Sequence, residues 1–230
     1  MRIDRWVAQA TDLSRKAVQL AIKQGRIQVD EKAINSPAFP VRANDKVTLD
    51  GHLLKAPGAR YFMLHKPAGY LCATTDAHHP TVLDLLDEAN KHGLQIVGRL
   101  DIDTTGLLLI TDDGQWNHRV TSPRRACEKT YLAGLAEPLA SEAPALFAEG
   151  ILLRNEQHPT RPAQVQSLPD NYCRITITEG RYHQVKRMLG AVNNRVVSLH
   201  RERIGEILLD PTLTPGQYRP LTAAEIASVQ

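Results

Sequence analysis

The residues with the most chemical content lie in one short run, Val97-Gly98-Arg99-Leu100-Asp101-Ile102-Asp103-Thr104-Thr105-Gly106-Leu107-Leu108. Apolar residues flank a polar loop there, the usual way of presenting side chains at the edge of a sheet. Asp101 and Asp103 are two apart, so an extended backbone points both carboxylates to one side, and a turn leaves only one facing a cleft. Two chemistries fit these types. The loop is a turn whose Asp, Thr and Gly bond locally, or the pair is a D-x-D site that binds a divalent metal, as with nucleotide-sugar substrates.

Other polar groups are less informative. His78-His79-Pro80 has adjacent imidazoles without a ligand cluster nearby. Asp112-Asp113-Gly114 reads as a turn between elements. Gln115-Trp116-Asn117-His118-Arg119 and Ser122-Pro123-Arg124-Arg125 mix an aromatic with cations, which suits either RNA contact or ordinary surface. Val185, Met188, Leu189 and Val192 recur at helical spacing and read as core. Cys72, Cys127 and Cys173 are too dispersed for a C-x-x-C site, and a reducing compartment suits them.

The elements that must position these groups divide in two. Residues 1–55 contain ten Lys/Arg against six Asp/Glu, whereas the whole chain of 230 residues nets only +3. A basic first quarter suggests a small polyanion-binding module attached to a larger domain. Within it Ser14 is a plausible N-cap, Ala17, Val18, Ala21 and Ile22 mark one helix face, and Gly25 stops the helix. Arg15, Gln19 and Lys23 fall on the opposite face, with Arg26 just beyond. Short strands are expected at Ile27 to Val29 and near Asp45 to Leu49, and residues 56–59, with Pro57 and Gly58, form a linker.

From residue 60 to 230, strands are expected at Tyr61–Leu64, Leu94–Val97, Leu107–Thr111, Lys129–Leu135 and Tyr172–Thr178. Helices are expected at Thr81–Asp87, His183–Val192 and Thr222–Val229. The fold class is therefore α+β, with a mixed, largely antiparallel sheet. Asp4 and Arg5 interrupt any apolar signal core, and no run reaches the ~18 apolar residues of a membrane span. A cytoplasmic chain, working as a monomer without a membrane, is expected.

Four ordered segments carry a resemblance. GRLDIDTTGLL resembles the signature of the pseudouridine synthases, in the branch that modifies ribosomal RNA and begins with an S4-like RNA-binding domain. Tyr61 to Pro67 is similar to the family's opening strand and Lys-Pro pair, Glu128-Lys129-Thr130-Tyr131 to its tyrosine-bearing strand, and Glu179 to Met188 to its third catalytic segment. Arg2, Asp4, Ser14-Arg15, Gly25-Arg26 and Val29-Asp30 are similar to S4 domains. Tyr182-His183 stands where large-subunit relatives typically carry Asn-Arg, which favours the small-subunit branch.

The resemblance implies Asp101 as the catalytic aspartate, Tyr131 as the tyrosine against the target base, and Lys186 as the basic partner of Asp101. It leaves Asp103 at a variable position without a catalytic role. It also implies RNA or scaffold contacts for Arg99, Arg181 and Arg187, and RNA contacts for Arg15, Lys23 and Arg26 in the S4-like part. The expected partner is 16S rRNA or a small-subunit assembly intermediate. The reaction breaks a glycosidic bond, turns the base, and rejoins C5 to C1′. Nothing is oxidised or imported, so no cofactor and no metal are called for. A carboxylate near C1′ or C6 is needed, kept ionised by a cation such as Lys186. A general base for the C5 proton is also needed, Tyr131 being one candidate. The alternatives are a large-subunit target, a non-catalytic assembly factor, and a metal-dependent transferase using Asp101 and Asp103.

Overall fold

A computed structural model describes residues 1–88 and 90–229. The chain clusters into two compact units: Met1–Ala59 with Asp87–Leu94, and Arg60–Leu86 with Gln95–Gln230. The stretch Asp87–Leu94 groups with the first unit although it lies beyond residue 60 in sequence.

The first unit contains α1 (Ile3–Ala10), α2 (Arg15–Lys23), β1 (Ile27–Val29), β2 (Lys32–Ala33), β3 (Val47–Leu49) and β4 (His52–Leu53). The helix α2 forms as its residues dictate. Ser14 Oγ accepts from the Ala17 N–H at 3.2 Å, and Gly25, at φ +69°, turns the chain out of the helix. The β1–β2 hairpin turns through Asp30 and Glu31, both left-handed, a conformation that short Asp-type turns tolerate. In the sheet the order is β2-β1-β3-β4. Val18, Ala21 and Ile22 of α2 pack with Ile3 and Val7 of α1 and with Ile27 and Val47. One charge is buried among them: Asp4 accepts from Arg2 at 3.1 Å and Arg15 at 2.7 Å. Burial alone would raise its pKa, but those bonds outweigh it and the carboxyl titrates below its ordinary value.

The second unit contains β5 (Tyr61–Lys66), β6 (Gln95–Val97), β7 (Thr105–Thr111), α3 (Gly114–Thr121), β8 (Lys129–Leu135) and α4 (Ala143–Glu149). It continues with β9 (Gln164–Leu168), β10 (Tyr172–Ile177), α5 (Gln184–Ala191), β11 (Val196–Ile204), β12 (Ile207–Leu208), β13 (Tyr218–Pro220) and α6 (Ala223–Ala227). The sheet runs β13-β5-β7-β11-β8-β10-β9, with β6 beside β7 and β12 beside β11. Among the described pairings β7 and β11 run parallel and the others antiparallel, so the chain is α+β as expected. The run Leu107-Leu108-Leu109-Ile110 is fully buried, because β7 is covered on both faces and has no solvent side to mark with polar residues.

Two expectations need correction. Thr81–Asp87 is not a full helix. It contains one 3-10 turn, Val82–Leu85, in which Asp84 bonds back to the Thr81 N–H, and the chain is extended again by Leu86. Trp116 is core rather than an RNA-facing aromatic. It is 1% exposed, packs edge-on against Tyr61 at 5.3 Å, and donates its indole N–H to Ile226 O. The turn read at Asp112-Asp113-Gly114 has a more specific use: Asp113 caps α3 by accepting from the Gln115 and Trp116 N–H groups.

Where β7 meets β11, Gly106 faces Arg201 at φ +106°, and a Cβ there would lie 2.6 Å from the Arg201 backbone nitrogen. The parallel pairing requires this glycine. Gly106→Ala should therefore lose about 1–3 kcal/mol from the backbone conformation alone, plus whatever the displaced strand adds. Urea unfolding measures it, and a variant as stable as the parent would show that the two strands can move apart freely.

Candidate active site

The loop joining β6 to β7 carries Asp101, and buried groups beneath it fix its path. Lys66 ends β5 fully buried, and its ammonium donates to the carbonyls of Pro67 at 3.0 Å, Ile102 at 3.2 Å and Thr104 at 2.8 Å. Three donors meet three acceptors, which makes a buried ammonium tolerable. Burial still pushes the Lys66 pKa down, against the opposing pull of Asp103 and Asp101. Arg201, also 0% exposed, donates to Gly98 O and Leu107 O, each at 2.8 Å, and so ties the loop's entry to the strand that leaves it. Between these anchors the Leu100 N–H points at Cys72 Sγ at 3.3 Å, and the Gly69 N–H donates to Ile102 O at 2.8 Å.

The loop turns at Asp101, whose carbonyl accepts from the Thr104 N–H at 3.1 Å. The side chain of Asp101 faces a cleft of about 890 Å³, lined also by Arg99, Tyr131, Lys129, Tyr182, His183 and Lys186. From the first turn of α5, Lys186 Nζ lies 3.0 Å from Asp101 and 2.7 Å from Asp103. Burial disfavours the Lys186 ammonium, but the bonds to Asp103 and Asp101 prevail and raise its pKa. The Lys186 hydrogen bond holds Asp103 below the usual carboxylate range, against a smaller effect of burial. His183 Nε2 is 3.4 Å from Asp101 Oδ1.

Tyr131 comes from the middle of β8 and is 7% exposed, with the Arg201 guanidinium 5.9 Å over its ring. Asp101, Tyr131 and Lys186, expected together, do line one cleft. Asp103 joins them through Lys186, which its variable sequence position gave no reason to expect. The ammonium occupies the place between the two carboxylates, so a divalent ion bound to both would have to displace it. Among the described residues no group of three or more His, Cys, Asp or Glu is gathered for a metal ion.

The expected RNA contacts separate into two kinds. Arg99 and Lys23 are exposed. Arg181 is spent largely inside the protein, on Glu179, Glu156 and the carbonyls of His158 and Pro159. Arg187 likewise holds Glu156 and the carbonyls of Tyr182 and Arg154. These two arginines clamp the 154–159 loop to the start of α5. Arg15 is paired with Asp4 and Arg26 with Asp50, yet both keep about half their side chains exposed, at 56% and 46%. Lys66 and Arg201 were not identified as site groups from sequence. Lys66 lies within one of the four matched segments, and Arg201 lies outside all of them.

Comparison with known proteins follows the same division. Residues 60–191 match the family model described as RNA pseudouridylate synthase, and residues 1–58 match the S4 domain. Over 230 residues the chain is 54% identical to the ribosomal small subunit pseudouridine synthase A of Salmonella typhimurium, covering 100% of both. It is 53% identical to the protein of that name from Escherichia coli K12, again covering 100% of both. A crystal structure of a pseudouridylate synthase superimposes with a TM-score of 0.73 at 44% identity, over 100% of each chain.

Removing the shared ammonium should release Asp103. In Lys186→Met its carboxyl should titrate higher, returning from below toward the ordinary carboxylate range, because the hydrogen bond that favours its charged form is gone. Carbon-detected NMR titration of the carboxyl resonances reads this directly, and an unmoved Asp103 would mean that Lys186 is not its principal partner.

Proposed function

The chain belongs to the RNA pseudouridylate synthase family, and from that premise we propose that it converts a uridine of 16S ribosomal RNA to pseudouridine with Asp101 as the nucleophile. The single observation that carries the assignment of Asp101 is its placement: a carboxylate 3.0 Å from Lys186, on a pinned loop, facing the cleft that Tyr131 also lines. A nucleophile held by its backbone needs no rearrangement before attack.

In this reaction the Asp101 carboxylate adds at C1′ or at C6 of the target, and the glycosidic N1–C1′ bond breaks. The freed uracil turns within the cleft, and C5 bonds to C1′. That bond displaces the Asp101 oxygen from C1′, or, for an adduct at C6, Asp101 is expelled as the C5–C6 double bond re-forms. The C5 proton leaves to a base and N1 ends protonated, so product and substrate are isomers. Lys186 orients the carboxylate and supplies the balancing charge, while Tyr131 offers a ring face for uracil. The uridine must leave its stack to reach Asp101, and an open, polar-rimmed cleft admits it.

The S4 domain recruits the RNA, free or in a small-subunit assembly intermediate, and the enzyme works as a monomer in the cytoplasm. Lys23 contacts a phosphate there, beside the exposed portions of Arg15 and Arg26. Among the described residues no helix is long and apolar enough to cross a membrane.

Tritium release from small-subunit rRNA labelled at uridine C5 tests the chemistry. The parent protein should release tritium from one site without needing a specific divalent ion, provided the RNA stays folded. Asp101→Asn should release none while keeping its circular dichroism and its RNA affinity. Release by that variant would remove Asp101 from the mechanism, and release from large-subunit rRNA alone would move the target. The S4 contact has its own measure. Lys23→Gln should flatten the slope of log affinity against log salt by roughly 0.7–0.9, the value of one phosphate contact. An unchanged slope would place the RNA on another face of the domain.

A further inference from the structure

Folding normally hides an aromatic ring or leaves it mobile, and Tyr182 does neither. It is 75% exposed, the highest value among the described large hydrophobic residues, yet its ring is stacked on the His183 imidazole, centroids 3.8 Å apart and planes 20° from parallel. The imidazole is itself held. His183 is left-handed at φ +48° at the N-cap of α5, and its Nε2 lies 3.4 Å from Asp101. The Tyr182 backbone is fixed as well, since its carbonyl accepts from Arg187 Nη1 at 3.1 Å. The result is a flat aromatic shelf on the wall of the cleft that contains Asp101. One face rests on His183. The other is open.

We propose that the open face of Tyr182 is a stacking subsite for the nucleobase adjacent to the target uridine. This rests on the proposed reaction. When a uridine swings out to reach Asp101, its neighbour in the strand loses a stacking partner, and an aromatic face beside the nucleophile replaces it. The occupant is a base rather than an apolar protein side chain because the surroundings suit a nucleotide. Exposed Arg99 lines the same cleft and offers a cation to the connecting phosphate. Stacking tolerates any base, so the subsite supplies affinity and register, while identity is read elsewhere. His183 acts here as a positioning residue, since it props the shelf and ties its place to that of Asp101.

The test uses the full-length protein and a synthetic hairpin bearing the mapped target uridine, with an abasic residue placed in turn on its 5′ and 3′ sides. On intact RNA, Tyr182→Ala should weaken binding about 5- to 150-fold, the loss of one base–aromatic stack, whereas Tyr182→Phe should bind nearly as the parent does. On one of the two abasic RNAs the parent should lose affinity by a similar factor, and Tyr182→Ala should then lose nothing more. Equal losses for Tyr182→Ala on intact RNA and on both abasic RNAs would overturn the proposal and direct the ring to the target uracil or to another partner. Tritium release by the parent on the intact hairpin is run alongside. If it fails while the binding cycle shows coupling, the reaction is wrong and the subsite stands; release without coupling removes the subsite alone.

Discussion

The active-site loop depends on a buried charge that has only one comfortable place. An ammonium removed from water costs several kcal/mol unless its donors are all used. Lys66 meets that demand with three carbonyls, two of them in the Asp101 loop. The requirement works in both directions. The carbonyls of Ile102 and Thr104 would otherwise turn to water, and the loop would be free to take other paths. Because Lys66 is anchored in β5, in register with Gly106 of β7, the position of Asp101 is referred to the centre of the sheet. Arg201 adds a second reference through Gly98 and Leu107, and Gly106 makes room for the backbone that delivers it. A loop on the surface is thereby made as exact as a strand.

On top of this scaffold the cleft balances charge locally. Lys186 serves two carboxylates at once, with the shorter bond to the more exposed of the two: the side chain of Asp103 is 68% exposed and that of Asp101 26%. A lysine shared in this way is held to Asp101 Oδ2 and to Asp103 Oδ1, while His183 Nε2 stands 3.4 Å from the other Asp101 oxygen. Several other cations of the region are bound to protein groups: Arg181 and Arg187 secure Glu156 and nearby carbonyls. This division separates cations that build the wall from those, such as Arg99, that face outward.

Much of this was legible in the sequence because it depends on neighbours in the chain. Ser14 and Gly25 bounded α2, a short apolar run marked β7, and the order of four motifs placed Asp101, Tyr131 and Lys186 in one protein family and, in the structure, in one cleft. Helix ends, turns and buried strands are decided by local hydrogen bonding and by the period of apolar residues, which a linear string records. What the tertiary structure alone decided is which distant groups meet. Nothing near Arg201 announced that it would be buried, because that follows from β11 lying between β7 and β8, an order set by strand pairing across some ninety residues. The same holds for Trp116, whose cations suggested a surface but whose ring met Tyr61 and Ile226, and for Asp103, which acquired a partner 83 residues away. Residue type fixes what a side chain can bond to; only the sheet order fixes whether that partner is water, a carbonyl or another charge.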